Sequence, residues 1–210
     1  MIADVGAHAG QFSKIFSKLV PKGEVYAFEP ASYARSILER VIAAHRLRNV
    51  RVVPLGLGDQ SARRTLRIPL KASGSLGFGL SHVVAAQQDA LRPSYEEEIE
   101  IVPLDDFVAE YGIDRLDLIK ADVEGWEMRL LAGAEKTLAT LRPVLILEAD
   151  PNFLERAGDS LETLWDFLTG LSYSICRLGR PQAGHVPVEV APEPCSGDIL
   201  CLPGTPRASA

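Results

Sequence analysis

The run Asp4-Val5-Gly6-Ala7-His8-Ala9-Gly10 sets an acid before a turn bracketed by two glycines. A second acid, Glu29, closes the apolar run Val25-Tyr26-Ala27-Phe28. Strand, glycine turn, helix, strand, acid is the order of a nucleotide-binding βαβ unit, in which the second acid accepts hydrogen bonds from ribose hydroxyls. Glycine tolerates positive φ and leaves room for a ligand close to the backbone, which suits Gly6 and Gly10 to such a turn. Three more acids, Asp59, Asp122 and Glu148, follow or end later apolar runs. Open α/β sheets hold ligands beyond the carboxyl ends of their strands. The five carboxylates are therefore expected at one edge, with one or two acting only as helix caps. Left together they would repel, so a cationic ligand with ribose hydroxyls would suit them.

The glycine spacing narrows the ligand. Dinucleotide-binding turns read G-x-G-x-x-G and shape a pyrophosphate site at a helix N-terminus. Here Gly6 and Gly10 are four apart and His8 stands where the middle glycine would be. That favours a ligand with adenine and ribose but no pyrophosphate, S-adenosylmethionine first among them.

Composition bounds the rest. The chain has 210 residues, 47% of them hydrophobic, which is enough for one domain with a full core over residues 1–203 and a frayed tail at 204–210. A net charge of −6 and the lack of a long basic run argue against nucleic acid as a partner. Cys176, Cys195 and Cys201 match neither a disulfide framework nor a zinc site and suit a cytoplasmic protein. No apolar run reaches the length of a membrane span, and the N-terminus lacks the features of a signal peptide. Only three residues precede Asp4, so the first strand is abbreviated or begins upstream.

The elements that must position the acids alternate along the chain. Phe12, Ile15, Phe16, Leu19 and Val20 recur at helical spacing and predict a buried stripe. Strands follow at 24–28 and 50–55, with a helix between them. Residues 60–103 break the rhythm as a hairpin of 63–68 with 99–102, joined by a glycine- and serine-rich stretch at 73–82 that suits either a lid over the crevice or a solvated excursion between the strands. Glu96 to Glu98 read as a solvated edge. A short helix from Leu104, a strand at 116–122, a helix carrying Leu130, Leu131, Ala134 and Leu138, and a strand at 144–148 come next. A helix carrying Leu161, Leu164, Trp165 and Leu168 precedes strands at 173–178 and 198–202, with 179–196 as a loop. The order predicts a three-layer, doubly wound α/β fold with a mostly parallel sheet and an antiparallel C-terminal strand.

Taken together, Asp4–Ser13, Val25–Pro30 and Ile119-Lys120-Ala121-Asp122-Val123-Glu124-Gly125-Trp126-Glu127 resemble the FkbM-type methyltransferases. Leu131–Ala134, the strand ending in Glu148 and the closing run Ser196–Pro203 extend the resemblance over residues 2–203. It implies a class I methyltransferase fold, S-adenosylmethionine as methyl donor and a hydroxyl acceptor on a sugar, glycan or secondary metabolite.

On that footing Gly6, Ala7 and Gly10 are expected at the cofactor's amino-acid portion and ribose. Asp4 would orient the loop or the cofactor's ammonium, or serve as a cap, and Glu29 would take the ribose hydroxyls or, with Pro30 next to it, mark only a helix start. Asp59 would approach the adenine amine or merely end a turn. Asp122, also a cofactor contact, and Glu124 would stand at the methyl-transfer centre, with Glu124 otherwise a first-turn helix acid. His8 and His82 are alternative bases. Asp122, Glu124 and Glu148 could converge on magnesium or calcium, but no metal dependence is expected. A nicotinamide-dependent oxidoreductase is disfavoured by the missing middle glycine and by the lack of a Tyr-x-x-x-Lys pair. A non-catalytic binding module is disfavoured by the intact set of acids.

Overall fold

The computed structural model describes residues 1–69, 82–83, 94–179 and 186–205, with backbone alone at 69, 82 and 83. An eight-stranded sheet runs through the molecule in the order β11-β10-β12-β9-β8-β1-β2-β3. These strands are β1 (Ile2–Val5), β2 (Val25–Phe28), β3 (Val50–Val53), β8 (Leu118–Ala121), β9 (Val144–Ala149), β10 (Tyr173–Leu178), β11 (Val188–Val190) and β12 (Gly197–Pro203). From β3 to β9 all neighbours are parallel; β12 lies antiparallel between β9 and β10, and β11 pairs antiparallel with β10. Strand order reverses between β1 and β8, so the crevice of a doubly wound sheet opens there.

A second, four-stranded sheet holds β4 (Gly56–Leu57), β7 (Ser94–Val102), β5 (Ala62–Pro69) and β6 (His82–Val83), in that order. The expected hairpin is present, with Arg64 opposite Ile99. Its acidic edge is not merely solvated. Glu96 pairs with Arg67, and the Glu97 carboxylate accepts from the backbone N–H and hydroxyl of Ser32 at 3.1 Å. Ser32 opens α2 (Ser32–His45), so Glu97 satisfies an orphan amide of that helix and ties the small sheet to the large one. The stretch at 73–82 lies outside the described residues except for the backbone of His82.

Helix α1 (Gln11–Leu19) corrects the expected stripe. Phe16 is buried, but Phe12, Ile15 and Leu19 are 43%, 50% and 67% exposed, while Ser13 and Ser17 face inward. The serines settle the helix's rotation. Ser13 Oγ donates to Asp4 Oδ2 and Ser17 Oγ to Asn49 Oδ1, both at 2.5 Å. Buried Asp4 needs a donor, and an unsatisfied buried polar group costs about 1–3 kcal/mol, so that bond outweighs packing of the apolar side.

Other differences are local. The helix expected after Asp122 is two, α4 (Glu127–Ala132) and α5 (Glu135–Thr140), with Leu130, Leu131, Ala134 and Leu138 all buried as expected. Asp105, in α3 (Leu104–Glu110), caps α5 through the amides of Lys136 and Thr137. Helix α6 (Pro151–Ala157) was not expected, although Asp150-Pro151 is a helix start. The Asp150 side chain accepts from the amides of Asn152 and Phe153, and Pro151 fits the first turn. Helix α7 (Leu161–Gly170) follows, and β11 forms inside the expected 179–196 loop. Among the described residues, no helix is long and apolar enough to cross a membrane.

The core lies between the large sheet and its helices, with Leu130, Leu131, Leu145, Leu147 and Ile119 at its centre. One close approach governs how α4 sits. A Cβ on Gly133 would come within 1.8 Å of the Gly58 carbonyl oxygen. Gly133→Ala is expected to lower unfolding free energy by about 1–3 kcal/mol, the usual cost of overpacking. Gly170→Ala, where a Cβ meets nothing within 4 Å, is expected to change it little or raise it. Urea denaturation of both variants checks the contrast.

Candidate functional site

A cavity of about 350 Å³ opens at the strand-order reversal, a size within the range of roughly 300–1,000 Å³ typical of small-molecule sites. The ends of β1, β2 and β8 form its polar floor. Leu57 of β4, Leu66 of β5 and Ile99 and Ile101 of β7 form an apolar wall with Ala31 and Ala34. The second sheet thus supplies much of the cavity's apolar wall.

At the end of β2, the buried Glu29 carboxylate accepts from the His8 backbone N–H at 2.8 Å and from the Ala31 N–H at 2.9 Å. One bond goes to each oxygen, so each keeps acceptor capacity. Burial raises its pKa, against the pull of the two amides. The β1 turn that supplies His8 has positive φ at Gly6, His8 and Gly10. Glycine is required at position 6, where a Cβ would lie 2.0 Å from the Asp122 carbonyl oxygen. Gly6, Ala7 and His8 line the cavity.

At the end of β8 stand Lys120, Asp122 and Glu124, all lining the cavity. Lys120 is 5% exposed; its Nζ donates to Asp122 Oδ2 at 3.1 Å and lies 4.7 Å from the centre of the Phe12 ring. Sequence reasoning missed Lys120, although two polar residues two apart in a strand must share a face. Glu124 adopts φ 51°, outside any helix, and its buried Oε2 has no hydrogen-bond partner among the described residues. Burial, then the nearby Asp122 and Glu148, push its pKa up to about 8. Glu127 begins α4, and burial raises it to about 7. Glu124 is therefore largely a neutral acid near pH 7 and can donate a hydrogen bond.

Other sequence-selected residues lie elsewhere. Asp4 is fully buried in β1 beneath α1 and does not line the cavity. Gly10 also lies off the cavity; a Cβ there would meet Leu38 at 2.6 Å, so its small size serves helix packing. Asp59 pairs with Arg129 at 2.9 Å, away from the cavity wall. Glu148 ends within β9 behind Asp122. His82 lies in β6, and its side chain is outside the described residues.

Raised carboxyl pKa values make a testable link to stability. A carboxyl whose folded pKa exceeds its unfolded value stabilises fully below the unfolded pKa, and that contribution disappears as pH rises through the folded pKa. For Glu124 and Glu127 the loss runs from about pH 4.5 to 8. The melting temperature is expected to fall across that window, and Glu124→Gln to flatten the decline; calorimetric scans from pH 5 to 8.5 check both.

Comparison with known proteins agrees with this architecture. Residues 4–175 match the family model described as Methyltransferase FkbM domain. The 31-O-demethyl-FK506 methyltransferase FkbM of Streptomyces tacrolimicus is 33% identical over 158 residues, covering 64% of this chain and 59% of its own. The 2-O-methyltransferase NoeI of Sinorhizobium fredii is 26% identical over 164 residues, covering 74% and 65%. The chain thus spans about three fifths of the length of these relatives. A crystal structure of methyltransferase FkbM from Methylobacillus flagellatus superposes with a TM-score of 0.60 over 95% of this chain and 42% of that one, at 18% identity. With a class I sheet, a cavity at its switch point and a family model matched from Asp4 to Ile175, this chain belongs to the FkbM methyltransferase family.

Proposed function

We propose that the chain is an S-adenosylmethionine-dependent O-methyltransferase acting on a hydroxyl of a sugar, glycan or secondary metabolite. The observation that carries the cofactor is Glu29. Its carboxylate is pinned by two amides, keeps free acceptor capacity on both oxygens and faces a cavity walled by apolar side chains. Those are the donor and surface needs of an adenosyl group. Glu29 would hold the ribose hydroxyls, and Ala31, Ala34, Leu66, Ile99 and Ile101 would pack on the adenine. Gly6 and Ala7 would offer backbone to the amino-acid end. A sulfonium adds one positive charge, which suits a wall bearing the Asp122 carboxylate. The named O-methyltransferases among the relatives support a hydroxyl acceptor.

S-adenosylmethionine, when bound, supplies an electrophilic methyl group. The chain's own task is to align an acceptor oxygen, exclude water and take up a proton. Orientation alone gains ~7–11 kcal/mol in well-aligned systems. Asp122, held by Lys120, would accept the hydroxyl proton. Glu124, protonated near neutrality, would donate a hydrogen bond to the acceptor instead of competing as a base.

Titration calorimetry with S-adenosylhomocysteine tests this reading. The wild type is expected to bind, and Glu29→Ala to bind at least about tenfold more weakly, a loss of about 1.4 kcal/mol, while keeping its far-ultraviolet circular dichroism. A folded wild type that binds nothing would refute the proposal. Asp122→Asn is expected to leave this affinity within about threefold, the cost expected where a residue serves the acceptor side.

A further inference from the structure

The proton-accepting role given to Asp122 leaves open what fixes its carboxylate. Strands β8 and β9 run parallel and in register, with Lys120 opposite Ile146 and Ala121 opposite Leu147. The next step places Asp122 opposite Glu148, with both side chains on one face. Two carboxylates directly opposed on neighbouring strands repel. The repulsion is relieved when one of the two carries a proton and donates it to the other. Asp122 lines the cavity and Glu148 does not, so Glu148 meets Asp122 from behind.

The surroundings decide which carboxyl keeps the proton. Lys120 on β8 donates to Asp122, not to Glu148. Glu148 is faced by Asp122, by Glu127 of α4 and by Asp198 of β12, its partner in the strand register. Glu124 lies close enough for Glu148 to act on it, and Arg156 of α6 reaches the Glu124 carbonyl at 3.4 Å. Carboxyl groups thus face Glu148 from three elements, while Lys120 bonds its neighbour.

We propose that Glu148 is a positioning residue: protonated, it donates to Asp122 and, with Lys120, fixes the Asp122 carboxylate toward the acceptor hydroxyl. The assignment rests on the reading of Asp122 given above. It also gives the site an upper pH limit. Burial and the Asp122 contact raise Glu148 to about 7. Above that range the proton leaves, the bond becomes a repulsion and Asp122 keeps only its bond to Lys120.

Carbon-13 NMR of the full chain, labelled at the side-chain carboxyls of Asp and Glu, tests the pair without any acceptor. Two glutamate resonances titrating near pH 7 are expected in the wild type, those of Glu127 and Glu148; the one that disappears in Glu148→Gln belongs to Glu148, and it is expected to move toward the ordinary glutamate value in Asp122→Asn. At pH 6 the Asp122 resonance is expected to persist in Glu148→Gln, whose amide still donates, and to shift in Glu148→Ala. Glu148 titrating at its ordinary value in the wild type, or an Asp122 resonance indifferent to both Glu148 variants, would overturn the assignment. Calorimetry with S-adenosylhomocysteine on the same proteins separates the two readings. An unchanged Asp122 signal with binding retained removes the positioning role alone. A wild type that shows the pair but binds no S-adenosylhomocysteine removes the methyltransferase reading on which the role depends.

Discussion

The carboxyl edge of the sheet depends on one buried cation. Lys120 on β8 sits opposite Asp4 on β1 in the strand register and two residues before Asp122, so all three share a face. Its charge lowers the pKa of Asp4, which burial raises, and its ammonium bonds Asp122. An isolated buried charge costs several kcal/mol, and pairing with good geometry is what makes it tolerable. Remove the ammonium and two carboxylates on neighbouring strands would face each other beneath α1. That constraint explains why α1 turns Ser13 inward toward Asp4 and leaves Phe12 over the lysine.

From that point two layers of support spread. On the β2 side, the amide of His8 reaches back to Glu29, so the glycine turn after β1 and the acid after β2 hold one another. On the β9 side, Glu148 backs Asp122, and α4 starts beyond the tight crossing at Gly125, where a Cβ would lie 2.2 Å from the Phe153 carbonyl oxygen. The family motif around Asp122 is therefore a packing solution as well as a chemical one. Gly6 and Gly125 are small because backbone passes close by, and no ligand is needed to explain either.

Much of this was legible in the sequence. Alternating apolar runs and helical stripes place β1, β2, β3, β8, β9, β10 and β12 and the helices other than α6, with α4 and α5 read as one, and an acid directly after the apolar run of β2 identifies Glu29. What periodicity does not carry is the sign of an amphipathic helix. The stripe in α1 is real, but a hydrogen-bonding need at Asp4 and Asn49 turns the serines inward. Position along a strand likewise does not tell which acids reach the crevice. Asp4 lies one residue short of the end of β1 and bonds a helix, and Asp59 finds Arg129 first. Lys120 is not legible in the same way, because a lysine within an apolar strand reads as solvated and its two acidic neighbours, Asp4 and Asp122, meet it only in the folded sheet.

The small sheet carries a further consequence. Among the described residues its strands pair only with one another, yet Leu66, Ile99 and Ile101 form part of the apolar wall of the cavity, and Glu97 grips the start of α2. A ligand held against that wall draws on the stability of a unit separate from the main sheet. Proteins open in such units at free energies below that of global unfolding, and a ligand that binds only the closed form adds its binding energy to that local opening. The slowest-exchanging amides gained on ligation would therefore lie in β5 and β7, away from the glycine turn that touches the ligand, and retention of the ligand would be set by how seldom this hairpin lets go of α2.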